Sequence, residues 1–210
     1  MELPKIRKRL SAYRPALRPT MGKRLAGVSV VLRDDVTEPE ILLIERATRA
    51  GDPWSGHMAF PGGRADPGDA SLEHTAKRET HEEVGVPLDG AHMLGRLDDL
   101  TGRAAAANRM VVSAYVFHAS SPDELSLEES EVADAIWVPL THLTHPENLV
   151  HYPMQYGEHE IVFPGIGMGP GDPRVVWGLT YRFLEIFFEI IGHPLPEHGL
   201  PDPEDQTPGS

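Results

Sequence analysis

The sequence has no cysteine, no long apolar run and few cations for its length, and each shortage removes a class of explanation. Without cysteine there are no disulfides, no thiol nucleophile and no Cys-ligated zinc, a composition compatible with a reducing cytoplasm. No stretch approaches the roughly 20 apolar residues that a membrane-spanning helix needs. The most apolar run, Phe183 to Ile191, is broken by Glu185 and Glu189, so no membrane is expected among the partners. Lys5, Arg7, Lys8 and Arg9 are not followed by an apolar segment, which argues against a secretory signal, and Pro4, Pro15 and Pro19 interrupt the amphipathic helix of a transit peptide. Lys and Arg number 19 against 32 Asp and Glu, a formal charge of −13. Duplex affinity comes largely from basic side chains neutralising phosphates, so nucleic acid is excluded as a bulk partner. A cytoplasmic location is the expectation.

What remains is a chain of 210 residues, 40% hydrophobic and 24% charged, enough for one full-sized core. Residues 1–24 form a basic extension with 8 of the 19 cations and one acid. It reads either as a solvated, loosely packed arm or as a contact for an anionic ligand or partner subunit. Residues 25–192 carry the periodic segments of a single domain. Residues 193–210 are proline-rich and acidic, with little to bury, and are expected to be disordered.

Within the domain, Leu25–Leu32 and Glu40–Arg46 are β-branched and apolar and predict paired strands, with Asp34–Pro39 as the turn. Residues 50–69 are dense in Gly and Pro, a shaped loop anchored by Trp54 and Phe60. A helix follows, capped by Asp69 or Ser71 and closed by Gly85 before Pro87. Met93–Leu97, Met110–His118 and Ile136–Leu140 predict further strands, and Gly102–Asn108 a loop or helical turn. The stretch from Ile161 to Trp177 is rich in Gly and Pro. Beyond it Leu184, Phe187, Phe188 and Ile191 recur at helical spacing, so a C-terminal helix packs on a core or across a homodimer.

The chemistry-bearing segment is Arg78-Glu79-Thr80-His81-Glu82-Glu83-Val84-Gly85. Glu79, Glu82 and Glu83 stand at i, i+3 and i+4, on one helical face with neighbouring Cβ atoms about 5–6 Å apart. Like charges so placed repel, and a hard divalent cation with oxygen ligands is the economical compensation. Arg78 is placed to orient one carboxylate through a bidentate pair. The other face, Leu72, Ala76, Thr80 and Val84, is small or apolar and can pack on a sheet, while Gly62-Gly63 lets backbone approach the metal.

Gly63, Asp69, Arg78, Glu79, Glu82, Glu83, Gly85 and Val86 resemble the Nudix box, whose pattern is Gly, five residues, Glu, seven residues, Arg-Glu-apolar-any-Glu-Glu-any-Gly-apolar. The chain departs from it in three ways. Asp69 replaces Glu, eight residues separate it from Arg78, and Thr80 replaces an apolar residue. The extra residue is similar to the coenzyme A pyrophosphatase branch, as are Arg46-Ala47, Gly56, Phe60-Pro61-Gly62-Gly63, Trp137-Val138-Pro139-Leu140 and Trp177-Gly178-Leu179-Thr180. That branch's loop also expects Leu-Leu-Thr and a second arginine. Here Leu42-Leu43-Ile44 stands instead, Arg49 is the nearest candidate, and the loop from Arg46 to Gly56 is one residue longer.

The resemblance implies an α/β/α sandwich on a mixed β-sheet and hydrolysis of the pyrophosphate bond of a nucleoside diphosphate derivative. Carried over by position, Glu79, Glu82, Glu83 and the Gly63 carbonyl would hold Mg²⁺ or Mn²⁺, with Arg78 beside them. A further glutamate is expected from Glu128, Glu129 or Glu131, with Glu131 favoured. Arg46, Arg49 and Arg64 are candidates for gripping substrate phosphates and Trp54 for stacking on a base. Coenzyme A is one small-molecule substrate; NDP-sugars, ADP-ribose and nucleoside di- or triphosphates are the alternatives. A non-catalytic nucleotide-sensing module is a third reading. It is disfavoured because all three glutamates are present, and a regulatory version would be expected to carry an appended DNA-binding domain.

Overall fold

The computed structural model describes residues 1–34, 38–49, 54–102, 110–119, 124–156 and 159–200. The centres of two expected connections, 35–37 and 103–109, lie outside the described residues, as do Gly51-Asp52-Pro53 of the shaped loop and the tail from 201 to 210.

The elements in order are α1 (Leu3–Ala12), β1 (Arg24–Asp34), β2 (Pro39–Arg46), β3 (Met58–Ala59), β4 (Gly62–Arg64), α2 (Leu72–Val84), β5 (His92–Arg96), β6 (Leu100–Gly102) and β7 (Met110–His118). They continue with β8 (Val132–Pro139), α3 (Leu140–Thr144), a 3₁₀ turn, β9 (Leu149–Tyr156), β10 (His159–Gly167), β11 (Val175–Trp177) and α4 (Gly178–Ile191). One sheet runs β3-β2-β1-β7-β5, with β4 also on β1, β6 on β7 and β8 on β2. It is mixed, because β1 and β7 lie parallel from Arg24↔Met110 to Leu32↔His118 while β1 and β2 are antiparallel.

Alternation along the central strands divides the core in two. Leu42 and Ile44 of β2, Val31 of β1, and Tyr115 and Phe117 of β7 pack with Ala76 and Val84 of α2. Ile41, Leu43, Val30, Leu32, Val112, Ala114 and Val116 point to the other face, where α1, α4 and Ile166 and Val176 of the second sheet cover them. The sandwich with a mixed central sheet that the resemblance implied is therefore present. Among the described residues no helix is long and apolar enough to cross a membrane.

Two segments differ from expectation. The first half of the basic arm is not loosely packed: α1 buries Leu3, Ile6 and Leu10, each 7% exposed or less, whereas Leu17 and Met21 beyond it are exposed. The prolines do not prevent this, because Pro4 stands in the first turn, where its missing N–H has no intrahelical partner to lose, and Pro15 and Pro19 follow the helix. Beyond α1 the chain is strapped by two adjacent carboxylates. The Ala16 amide and the Tyr13 hydroxyl donate to Asp98, and the Arg18 amide donates to Asp99.

The Gly- and Pro-rich stretch before α4 also hides regular structure. β9, β10 and β11 form a three-stranded antiparallel sheet in which Pro153 faces Val162 and Pro164 faces His151. Aromatic packing offsets the lost donors, with Trp177 stacked on Tyr152 at 4.6 Å and against Phe163 at 5.3 Å.

Candidate functional site

Helix α2 is capped by Ser71, whose hydroxyl accepts the His74 amide at 3.1 Å, and ends at Gly85 in the left-handed conformation. Its inner face buries Thr75, Ala76, Thr80 and Val84, and Ala76 and Thr80 meet Ser29 of β1. Thr80, the departure from an apolar residue, is fully buried and satisfied. Its hydroxyl meets the Ser29 hydroxyl at 2.8 Å and the Ala76 carbonyl at 2.7 Å. Ser29 of β1 is thus its polar partner, a pairing visible only once helix and strand are in contact.

Asp69 shows how the altered spacing is accommodated. Its carboxylate accepts Arg78 Nε at 3.1 Å and Nη2 at 3.0 Å, and also binds Thr75 Oγ1, the Asp66 amide and His74. The Arg78 guanidinium holds this carboxyl well below the usual carboxylate range. With that end fixed, Nη1 of Arg78 faces Glu79 at 2.9 Å and Glu82 at 2.8 Å, and Nη2 reaches the Arg64 carbonyl at 3.3 Å. The arginine is clamped from behind and presents its other edge to the glutamates.

Carboxylate oxygens of Glu79, Glu83 and Glu131 lie within 4.8 Å of one another. Glu79 and Glu83 converge because four residues make slightly more than one turn, whereas Glu82 is rotated about 100° from Glu83. Glu82 is accordingly outside the trio, 54% exposed and tied to Arg78, so the structure brings together two of the three expected helical glutamates rather than all three.

Glu131 reaches the helix because its loop is pinned to the helix end. The Ser126 amide donates to the Val84 carbonyl, the Glu128 amide to the Glu83 carbonyl, and the Ala47 amide to the Glu131 carbonyl. Glu128 and Glu129 are exposed, and Glu128 spends its carboxylate on Ser130.

Glu83 is 2% exposed and accepts the Gly62 amide at 2.8 Å. Burial pushes its carboxyl up to about 8, against the pull of the Gly62 amide; Glu79 and Glu131 add to the rise and the Arg46 guanidinium opposes it. Glu79 is raised as well, by burial first, with Arg78 opposing. Sequence reasoning assigned Gly62-Gly63 to a carbonyl and missed this amide; the glycine pair itself was the available signal. A Cβ at Gly63 would collide with the Glu79 carboxylate, so glycine there keeps the approach to the trio open.

Of the remaining candidates, Arg46 acts on Glu83 and Arg49 on Glu131. Arg46 ends β2, half-buried, its backbone hydrogen-bonded to Gly56 and His57. Arg49 pairs with Glu131 at 3.0 Å. Arg64 ends β4 with an exposed side chain, and Trp54 is 36% exposed on the turn before β3. Three crowded carboxylates, two of them raised by burial, form a hard-oxygen donor set suited to a small divalent cation.

The NUDIX domain family model matches residues 23–155. An uncharacterised protein of Schizosaccharomyces pombe is 38% identical over 158 residues, 66% of this chain and 48% of the relative. The mitochondrial coenzyme A diphosphatase NUDT8 of Homo sapiens is 30% identical over 154 residues, 73% of this chain and 63% of its own length. The chain therefore spans less than two thirds of these two relatives. An uncharacterised Nudix hydrolase, NudL, of Yersinia enterocolitica is 37% identical over 151 residues, 70% of this chain and 71% of the relative. Among solved structures, a NUDIX hydrolase from Alicyclobacillus acidocaldarius superposes with a TM-score of 0.53 at 19% identity, over 83% of this chain and 93% of that one. A MutT/nudix family protein from Enterococcus faecalis gives 0.53 at 17% identity, over 91% and 70%. These two likenesses support the fold.

Proposed function

The chain belongs to the NUDIX family, and from that membership we propose that it hydrolyses the pyrophosphate bond of nucleoside diphosphate derivatives with a divalent metal, acting on coenzyme A. The observation that carries the reading is the meeting of Glu79, Glu83 and Glu131 at one point beside Arg78. In this proposal those three carboxylates hold Mg²⁺ or Mn²⁺, with Glu82 and the Gly63 carbonyl alongside. A cation bound there would neutralise charge on the phosphoryl oxygens and make water a better nucleophile near neutral pH.

The protein's own part is placement. Asp69 and Arg78 fix the face of α2, the Gly62 amide fixes Glu83, and Gly63 leaves the approach open. Arg46 and Arg64 are proposed to contact substrate phosphates, and the exposed ring of Trp54 to stack on the base. Support for coenzyme A is the identity to relatives that bear the name coenzyme A diphosphatase, together with the lengthened spacing from Asp69 to Arg78.

The test is a panel of coenzyme A, ADP-ribose, NDP-sugars, NADH and nucleoside di- and triphosphates with Mg²⁺ and Mn²⁺, products identified by mass. The expected products are 3′,5′-ADP and phosphopantetheine. Cleavage of another nucleotide without these two would overturn coenzyme A and leave the hydrolase reading standing. No turnover of any compound with either metal would overturn both.

A further inference from the structure

The loop after β2 is where the chain departs from the coenzyme A branch pattern, and Arg49 lies in it. Its side chain does not point away toward an open phosphate position. Nε donates to the Ser130 carbonyl at 2.7 Å, and Nη2 meets Glu131 Oε1 at 3.0 Å. The residue is itself fastened, since its amide donates to Ser55 Oγ at 3.0 Å and the Ser55 hydroxyl donates to its carbonyl at 3.0 Å. Two residues earlier, the Ala47 amide donates to the Glu131 carbonyl at 2.8 Å. The loop after β2 and the loop before β8 are thus joined at both backbone and side chain of Glu131.

Glu131 has like charges on one side and a cation on the other. Its carboxylate oxygen lies within 4.8 Å of those of Glu79 and Glu83, and wherever these carboxylates are ionised they repel one another. A long, half-exposed glutamate in that field would turn out to solvent unless something held it. We propose that Arg49 is a positioning residue, whose fork clasps the Ser130 carbonyl and the Glu131 carboxylate together and keeps Glu131 turned toward Glu79 and Glu83. This rests on the reading of that trio as the metal site of a hydrolase. The pair is 46% and 42% exposed, so as a bare surface ion pair it contributes little stability. Its value is directional, because a planar guanidinium engages a carbonyl and a carboxylate at once, which an ammonium does not reproduce. Arg49 is thereby removed from the set that grips substrate phosphates.

The experiment is a double-mutant cycle of Arg49→Ala with Glu131→Gln in the full chain, read by Mn²⁺ calorimetry without substrate and by steady-state kinetics. Arg49→Met, which retains the aliphatic stem, replaces the alanine variant if that fails to fold. Arg49→Ala and Glu131→Gln are each expected to weaken Mn²⁺ binding about tenfold. The double variant is expected to match Glu131→Gln within about twofold, and kcat is expected to fall while KM stays within about twofold in Arg49→Ala. Tighter Mn²⁺ binding in Arg49→Ala would show a cation that merely opposes the metal, and would overturn the proposal. So would effects that multiply in the double variant, or a KM raised tenfold with kcat unchanged, the signature of a phosphate grip. A wild type that binds Mn²⁺ but cleaves nothing in the panel overturns the hydrolase reading, while the calorimetric cycle still decides Arg49.

Discussion

Glu82 and Glu83 are adjacent in sequence and differ in almost everything else. Glu83 is buried, takes a backbone hydrogen bond and points at Glu79 and Glu131; Glu82 is 54% exposed and held by Arg78. A change to Gln keeps shape and removes charge, so the two variants should separate these environments. With the best substrate of the panel, Glu83→Gln is expected to lower kcat by about a hundredfold or more, and Glu82→Gln by about tenfold or less. Equal losses would mean that all three helical carboxylates act together, as the box alone suggests. The sequence made the pattern Arg78-Glu79-Glu82-Glu83 legible because residue types at fixed intervals on a helix determine who can share a face. It left Glu131 as one of three neighbours, because the choice among Glu128, Glu129 and Glu131 depends on where backbone amides at 126 and 128 meet the end of α2.

At the level of elements, periodicity was informative where one face is buried and silent where packing overrides composition. The box helix and the C-terminal helix were readable from an apolar face with a helical repeat, and the strands Leu25–Leu32 and Met110–His118 from short β-branched, apolar runs that are buried on both faces. The second sheet was not, because Gly165, Gly167, Pro153 and Pro164 mask strands held together by Trp177 and its ring neighbours. Nor was α1, whose three apolar contacts lie among prolines and cations. Its place in the core has a direct consequence. Ile6 is 2% exposed, and Ile6→Ala should cost about 2–5 kcal/mol, lowering Tm by at least about 4 °C in a thermal melt. A loose arm would lose under about 0.5 kcal/mol and show no resolvable shift.

For the whole molecule, the acidic centre sets a conflict between folding and charge that should appear in the pH dependence of global stability. Without metal, Glu83 in the fold holds its proton to about pH 8, and Glu79 is raised too, whereas in the unfolded chain both ionise near the ordinary value of 4.5. Between about pH 4.5 and 8 the folded state therefore binds more protons than the unfolded one, and unfolding free energy falls as pH rises. The slope reaches at most about 1.4 kcal/mol per pH unit for each fully protonated group. Asp69 and Asp172 act in the opposite sense. Hydrogen bonds from Arg78 and Arg174 depress them, so their contribution is present above about pH 4 and lost in stronger acid. Metal-free protein should thus be most stable near pH 5 and lose stability toward pH 8. A bound divalent cation requires the ionised carboxylates and displaces their protons, so its stabilisation should grow over the same interval and flatten the slope. Thermal unfolding in EDTA and in millimolar Mg²⁺ from pH 5 to 8 measures both curves, and Glu83→Gln should remove most of the slope seen in EDTA. Stability that rises with pH in EDTA, or an equal slope with and without Mg²⁺, would contradict the assignment of this centre as the place where proton and metal compete.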